Sequence, residues 1–362
     1  GFKVNMMDTQ KSIYTSTFGN INTYTIYVAA LLAISMILFT QEKNQKRMFW
    51  YYGNMILTSF ALIMGSSDNA YLSLAAIFGL APLWLFQTKT GLRRYVISLA
   101  TFFTVILCIN GINKAYAASV LGIDSAFNLI AGTKFLPVLV VLLWVIAVVL
   151  IFMNRKPQAL MNRTTDDSMN KIAVYIWIGV IAVVCLAVLF VLYDANLGGH
   201  ADKYGALSSY VVFNDEWGTQ RGYVWKRAME IYTKKLNLLQ KIFGYGPDTF
   251  ALIMQYYYPG EMQNGRMVIF DSAHNEYLHY LVTTGFVGMA SYLVFMVSSI
   301  VAMAKKIKEQ PIVAAVMMAV LAYAIQAVVN INLPIAMPII LQLLAMGVGR
   351  KKTADKAEEK AE

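Results

Sequence analysis

The sequence is short of charge. Asp, Glu, Lys and Arg make up 14% of its 362 residues, where an average soluble domain holds roughly a quarter. That scarcity excludes a disordered chain or a nucleic-acid binder and disfavours a soluble globular enzyme. Cysteine is scarcer still. Cys108 and Cys185 both fall inside apolar runs, so no disulfide framework or thiol-ligated metal site is available in the polar segments. Ionisable groups are missing from the middle of every apolar run. Ion-coupled transporters bind their driving ion with intramembrane ionisable groups, so this absence speaks against that class. No internal repeat stands out, and residues 1–23 read as a polar tail rather than a signal peptide.

What the sequence has is apolar length. Hydrophobic residues make up 58% of it, and a helix crossing about 30 Å of hydrocarbon needs about 20 of them in a run. Nine uncharged runs qualify: roughly 24–40, 49–65, 70–87, 95–110, 135–153, 172–193, 277–302, 312–330 and 331–349. They predict an all-α integral membrane protein of about nine transmembrane helices, with one large extracytoplasmic loop between the sixth and the seventh. Residues 1–193 then form an external tail and six helices, and 194–276 the loop. Residues 277–349 supply three more helices, and 350–362 a charged cytoplasmic tail. Only Asn330, Ile331 and Asn332 precede Pro334 between the last two runs, which predicts a tight helical hairpin.

The basic residues fix the orientation. Lys43, Lys46 and Arg47, then Lys89, Arg93 and Arg94, then Arg155, Lys156, Arg163 and Lys171, then Lys305, Lys306 and Lys308 all fall on one side. The tail adds Arg350, Lys351, Lys352, Lys356 and Lys360, while the opposite short segments hold only Lys3, Lys11, Lys114 and Lys134. That bias places the first side in the cytoplasm and residues 194–276 outside. The net charge of +10 therefore reports orientation rather than an anionic partner.

The loop is the sizeable polar region outside, so chemistry belongs there. Residues 219–243 show helical spacing, with Val224, Ala228, Ile231 and Tyr232 on one stripe, later joined by Leu236, Leu239 and Phe243. Arg221, Lys226, Arg227, Lys234, Lys235 and Lys241 face only Glu230 in charge. Two compatible readings fit: an amphipathic helix lying on anionic headgroups, or Arg221 near the helix start gripping a phosphate through its bidentate fork. Gly244-Tyr-Gly-Pro-Asp248 reads as a turn, and Tyr256, Tyr257 and Tyr258 as an interfacial belt or a stacking surface for sugar. Further on, Asp271 or Ser272 is placed to cap the seventh span, putting His274 and Asn275 in its first turn. His274 is either a hydrogen-bonded structural residue or a proton acceptor near neutral pH. His279, five residues on, points elsewhere, so the two do not read as a metal pair. Gly285 and Gly288 lie about 16–21 Å along the same helix and read as sites of close helix packing.

The string His274-Asn-Glu-Tyr-Leu-His-Tyr-Leu-Val-Thr-Thr-Gly285-Phe-Val-Gly288 resembles the signature of the O-antigen ligase and polymerase superfamily of bacterial membrane glycosyltransferases. Three weaker pieces agree in order. Gly19-Asn-Ile-Asn-Thr23 is similar to its Asn-rich helix opening, and Arg221-Gly-Tyr-Val-Trp225 to its Arg-x-x-x-Trp element. Gly244-Tyr-Gly-Pro-Asp-Thr-Phe250 is similar to its Gly-x-Gly-x-x-x-Phe turn. The resemblance covers about residues 19–300 and implies further helices ahead of the Asn-rich opening. It departs at Ser67-Asp68-Asn69, where many members carry Ser-Arg-Gly; a basic contact is then supplied elsewhere, with Arg266 as the candidate.

The resemblance implies transfer of a glycan from an undecaprenyl-diphosphate donor to a glycan or lipid acceptor, at the outer face of a bacterial cytoplasmic (inner) membrane, without metal or cofactor. Carried onto this chain, His274 and Arg221 are the catalytic pair, and Arg266, Asn275, Trp225 and Arg227 bind substrate. A polymerase joining lipid-linked repeats and a ligase delivering finished glycan share this chemistry. A glycolipid flippase is the reading from another class. It predicts polar groups along a membrane path, which the uncharged spans do not supply.

Overall fold

The structure, a computed structural model, describes residues 18–118, 123, 126–153, 163–259, 270–331 and 334–350. Among these there is no strand. Six helices are long and apolar enough to cross a membrane: Ile21–Gln41, Lys89–Ala115, Leu136–Met153, Lys171–Asn196, Gly285–Ala304 and Pro311–Val329. Of the nine predicted runs, the other three form lesser helices. Asn69–Leu85 and Met337–Gly349 are short, and Gln45–Met64 opens on Gln45, Lys46 and Arg47. The expected tight hairpin before the last helix is also looser. That helix starts only at Met337 with Pro338 in its first turn, where proline's missing N–H leaves no helical bond unmade.

The chain divides into two compact units. The first comprises the described residues of Gly1–Ile178, Ser299–Gln326 and Leu333–Glu362. Its centre is the helix Ile21–Gln41, apolar on all sides and therefore surrounded by other helices. Ala29, Ala30 and Ala33 on it, and Ala315, Ala319 and Ala322 on Pro311–Gln326, are buried in one core. Small side chains let two such helices approach closely. Polar bonds tie the same helices. Gln326 Nε2 donates to Thr25 Oγ1 at 3.3 Å while its Oε1 accepts from Ser73 Oγ at 2.7 Å. At one end Arg94 donates to the carbonyls of Phe39, Thr40 and Glu42, satisfying acceptors the helix leaves open. At the other, Asn20 caps the helix through the N–H groups of Asn22 and Thr23. Asn22 Oδ1 accepts from Ser67 Oγ and Asn69 Nδ2, and Asp68 accepts from the Ala126 N–H.

The second unit comprises the described residues of Gly179–Ser298 and Ala327–Asn332. Its helix Trp217–Glu230 presents Val224 and Ala228 to Phe250, Ile253, Met254, Phe270, Leu278 and Val282. The anticipated continuous helix over 219–243 is broken. Gly218, Thr219 and Gln220 are left-handed, a single π turn follows at Ile231–Lys235, and Leu238–Phe243 restarts behind an Asn237–Gln240 capping box. Val224, Ala228, Ile231 and Leu236 are buried as the stripe requires, whereas Leu239 and Phe243 are exposed.

Candidate active site

In the second unit the loop at residues 271–275 meets the helix Trp217–Glu230, which is regular from Arg221 onward. Trp225, one turn after Arg221, donates its indole N–H to the carbonyl of Ala273 at 2.9 Å, and the residue after Ala273 is His274. On the other side Asn275, rather than Asp271 or Ser272, caps the helix Glu276–Thr283, its Oδ1 accepting from the Leu278 N–H at 3.0 Å. Asp271 and Ser272 lie too far upstream for that bond. Ser272 Oγ instead accepts from the His274 N–H at 3.3 Å. His274 is therefore held just ahead of the helix, in the left-handed region at φ +46°, where a side chain is strained.

The His274 ring is mostly buried, and its Nδ1 has no hydrogen-bond partner among the described residues. Burial pushes its pKa below the ordinary imidazole value, the Arg221 cation pushes the same way, and Asp271 acts against both. A buried imidazole beside a guanidinium is neutral at pH 7 and able to take a proton. Arg221 itself is braced, its Nη1 donating to the Gly218 carbonyl at 2.7 Å, so the left-handed turn at 218–220 sets where the guanidinium lies. His279 is directed away, its ring stacked on Phe250 at 5.4 Å between centroids.

The remaining predicted site residues divide. Asn275 spends its Oδ1 on the cap, and its backbone carbonyl accepts from His279 N–H. Trp225 lines an apolar pocket of about 490 Å³ with Phe213, Met229, Asn275, Leu278, Leu281 and Met289. Arg227 bonds Glu230 at 2.9 Å and lies over the rings of Tyr258, at 4.7 Å, and Tyr223, at 5.5 Å. Its charge is thus matched locally. Arg266 lies outside the described residues. Of the tyrosine run, Tyr257 bonds Tyr245 through their hydroxyls, Tyr258 stacks on Arg227, and Tyr256 is exposed.

The glycines of the two motifs meet. Tyr245 and Gly246 donate their N–H groups to the Thr283 carbonyl at 2.9 and 2.8 Å, where the predicted seventh span breaks into Glu276–Thr283 and Gly285–Ala304. Gly285 is left-handed at φ +71° and Gly244 at φ +72°. A Cβ on Gly244 would fall on the Thr283 carbonyl, and one on Gly285 on the Ile242 carbonyl and 2.6 Å from Gly244 N. Gly285 is thus a helix break seated under the Gly-Tyr-Gly turn, not a packing point within an unbroken span. The pairing was not readable from spacing, since the two glycines are far apart in sequence. The cap had a signal, since Asn275 is one of three capping side chains ahead of the apolar run.

A family model described as O-antigen ligase matches residues 117–293, which include Arg221, Trp225, His274, Asn275, Gly285 and Gly288. No curated protein sequence matches the chain significantly.

Proposed function

From the match of residues 117–293 to a family model described as O-antigen ligase, we propose that this chain is a membrane glycosyltransferase moving a glycan from an undecaprenyl-diphosphate donor to an acceptor sugar hydroxyl. The reaction takes place at the outer face of the bacterial cytoplasmic membrane, with the polymerase type favoured over the ligase type. The observation that carries this reading is the buried His274 imidazole, its Nδ1 without a hydrogen-bond partner among the described residues and its pKa lowered by burial and by the Arg221 cation. His274 takes the proton of the acceptor hydroxyl as its oxygen forms a bond to the anomeric carbon. The bond from that carbon to the diphosphate oxygen breaks, and undecaprenyl diphosphate leaves with the electron pair. Arg221 balances the charge gathering on the departing diphosphate, a task suited to a preorganised guanidinium. The 490 Å³ apolar pocket beside Trp225 and Asn275 suits the isoprenoid units next to the diphosphate.

The test is transfer by the purified full-length protein in proteoliposomes supplied with a synthetic undecaprenyl-diphosphate oligosaccharide. His274→Ala is expected to lower turnover by about 10²–10⁴-fold, the usual worth of a general base, while expression and insertion stay at wild-type levels. Wild-type turnover by that variant removes the base assignment. In cells, deletion distinguishes the two types: single repeats left on lipid indicate a polymerase, and long unattached lipid-linked chains a ligase.

A further inference from the structure

We propose that a second pocket in the same unit, about 590 Å³ and lined by Asp202, Ser208, Ser209, Asn214, Glu216 and Trp217, is a saccharide subsite that accepts neutral or amino-bearing sugars and rejects acidic ones. As the place of the acceptor it rests on the transferase reading, but its binding chemistry stands on its own. The lining offers hydroxyls, a carboxamide and two carboxylates around one indole, and no lysine or arginine is among the residues that form it. Sugar hydroxyls are donors, and carboxylate acceptors bind donors more strongly than neutral ones do. The indole gives the apolar C–H face of a pyranose a flat surface, so the mixture of one ring with convergent polar groups matches a sugar better than a lipid or an anion.

The pocket walls are built, not incidental. Trp217 donates its indole N–H to the Tyr210 carbonyl at 2.9 Å and packs on Trp225, ring centroids 5.1 Å apart. Trp225 is the residue that lines the apolar pocket and bonds Ala273 beside His274. The tryptophan pair is therefore a partition, with the polar pocket on the Trp217 side and the apolar one on the Trp225 side. The opposite wall is the 3-10 turn Ala201–Leu207, which supplies Asp202. Asp194 fixes that turn through His200 at 2.7 Å, Tyr204 at 2.7 Å and Lys203 at 3.2 Å. Lys203 is thereby engaged with Asp194 as Lys226 is with Asp215 at 2.9 Å, and the pocket keeps its two carboxylates.

The experiment uses the full-length protein in lipid nanodiscs and three probes: chitobiose, its deacetylated diamino form, and a glucuronate-containing disaccharide. Binding is read by saturation-transfer NMR and by titration. The neutral and amino sugars are expected to bind at least about fivefold more tightly than the uronate, the scale of one hydrogen bond or like-charge contact. Asp202→Asn with Glu216→Gln should erase that selectivity, and Asp202→Lys with Glu216→Lys should reverse it. Absence of binding by all three probes, equal affinity for the uronate, or unchanged selectivity in both double variants overturns the subsite. Transfer by the wild-type protein, assayed in parallel, separates this from the transferase reading. Selective binding without transfer counts against the chemistry alone, and lost selectivity in the pocket variants still supports the subsite.

Discussion

Gly285→Ala should loosen the second unit far more than its single methyl suggests. Two terms add. A non-glycine residue at φ +71° costs about 1–2 kcal/mol in the left-handed region. The new Cβ would also fall on the Ile242 carbonyl and 2.6 Å from Gly244 N, and overpacking against backbone that cannot rotate away costs about 1–3 kcal/mol. The sum is about 2–5 kcal/mol, on the order of 10 °C in melting temperature for a unit of this size. The chain's cheapest escape is to lift the Gly-Tyr-Gly turn off Thr283, which frees the Tyr245 and Gly246 amides that now donate there at 2.9 and 2.8 Å. The assay is thermal unfolding in detergent together with hydrogen exchange over 243–250. Gly288→Ala is the internal contrast, because its Cβ would meet the Thr284 side chain. Turning that hydroxyl aside gives up its bond to the Tyr280 carbonyl, and the Thr284 Cβ, 2.5 Å from the new atom, cannot rotate away, so this variant carries the overpacking cost without the left-handed one. Gly53→Ala, with nothing within 4 Å, should be close to neutral. If Gly285→Ala melts with Gly53→Ala and leaves exchange over 243–250 unchanged, the reasoning about this break is wrong.

Arg221→Lys should cost about 10²-fold or more in turnover despite its retained charge, since one point donor replaces a two-pronged fork; turnover within about threefold of wild type would count against diphosphate binding there. The acid limb of the rate profile should lie below the ordinary imidazole value of about 6.5, because protonation disables the base and burial with Arg221 lowers the His274 pKa. Asp271 favours the imidazolium, so Asp271→Asn should move that limb to still lower pH; an upward move would refute the assignment. Asp215→Cys, in a chain whose Cys108 and Cys185 are replaced by alanine, should react with an impermeant thiol reagent added outside, and protection there would reverse the orientation. His274→Gly should be as inactive as His274→Ala yet more stable by about 1 kcal/mol, since glycine takes the left-handed backbone freely; equal melting temperatures would show that no strain is held at this position.

What the sequence makes legible follows from how far each signal reaches. The helical, membrane-spanning character needs only composition within a window, and the six helices long and apolar enough to cross a membrane each coincide with an apolar run. The break between Thr283 and Gly285 needs more. Both halves are apolar, a glycine in a membrane helix is unremarkable by itself, and the reason for the break is a distant segment, Ile242–Gly246, pressed against it. The same limit hid the discontinuity at 218–220. Only Gly218 hints at a left-handed turn there, while Thr219 and Gln220 are forced into it with Arg221 Nη1 bonding back to the Gly218 carbonyl. Asn275 misled differently, since Asp271, Ser272 and Asn275 all have capping side chains, and distance to a free N–H decides among them.

Those tertiary constraints bear on the chemistry. A left-handed His274 costs about 1–3 kcal/mol, and such a conformation persists only where its neighbours leave no alternative. Here the preceding carbonyl is taken by the Trp225 indole, the following residue is bound into the helix as its cap, and the His274 N–H is turned onto Ser272. A relaxed backbone would let a lone imidazole rotate its Nδ1 toward a protein acceptor or into water. With three anchors within two residues on either side, the ring stays where Nδ1 is buried and without a hydrogen-bond partner among the described residues. An unsatisfied buried nitrogen costs stability in the free protein, and under the proposed mechanism that cost is recovered when an acceptor hydroxyl bonds it. The strain and the missing hydrogen bond are one arrangement, and under the proposed mechanism both hold His274 ready to accept the proton of a substrate.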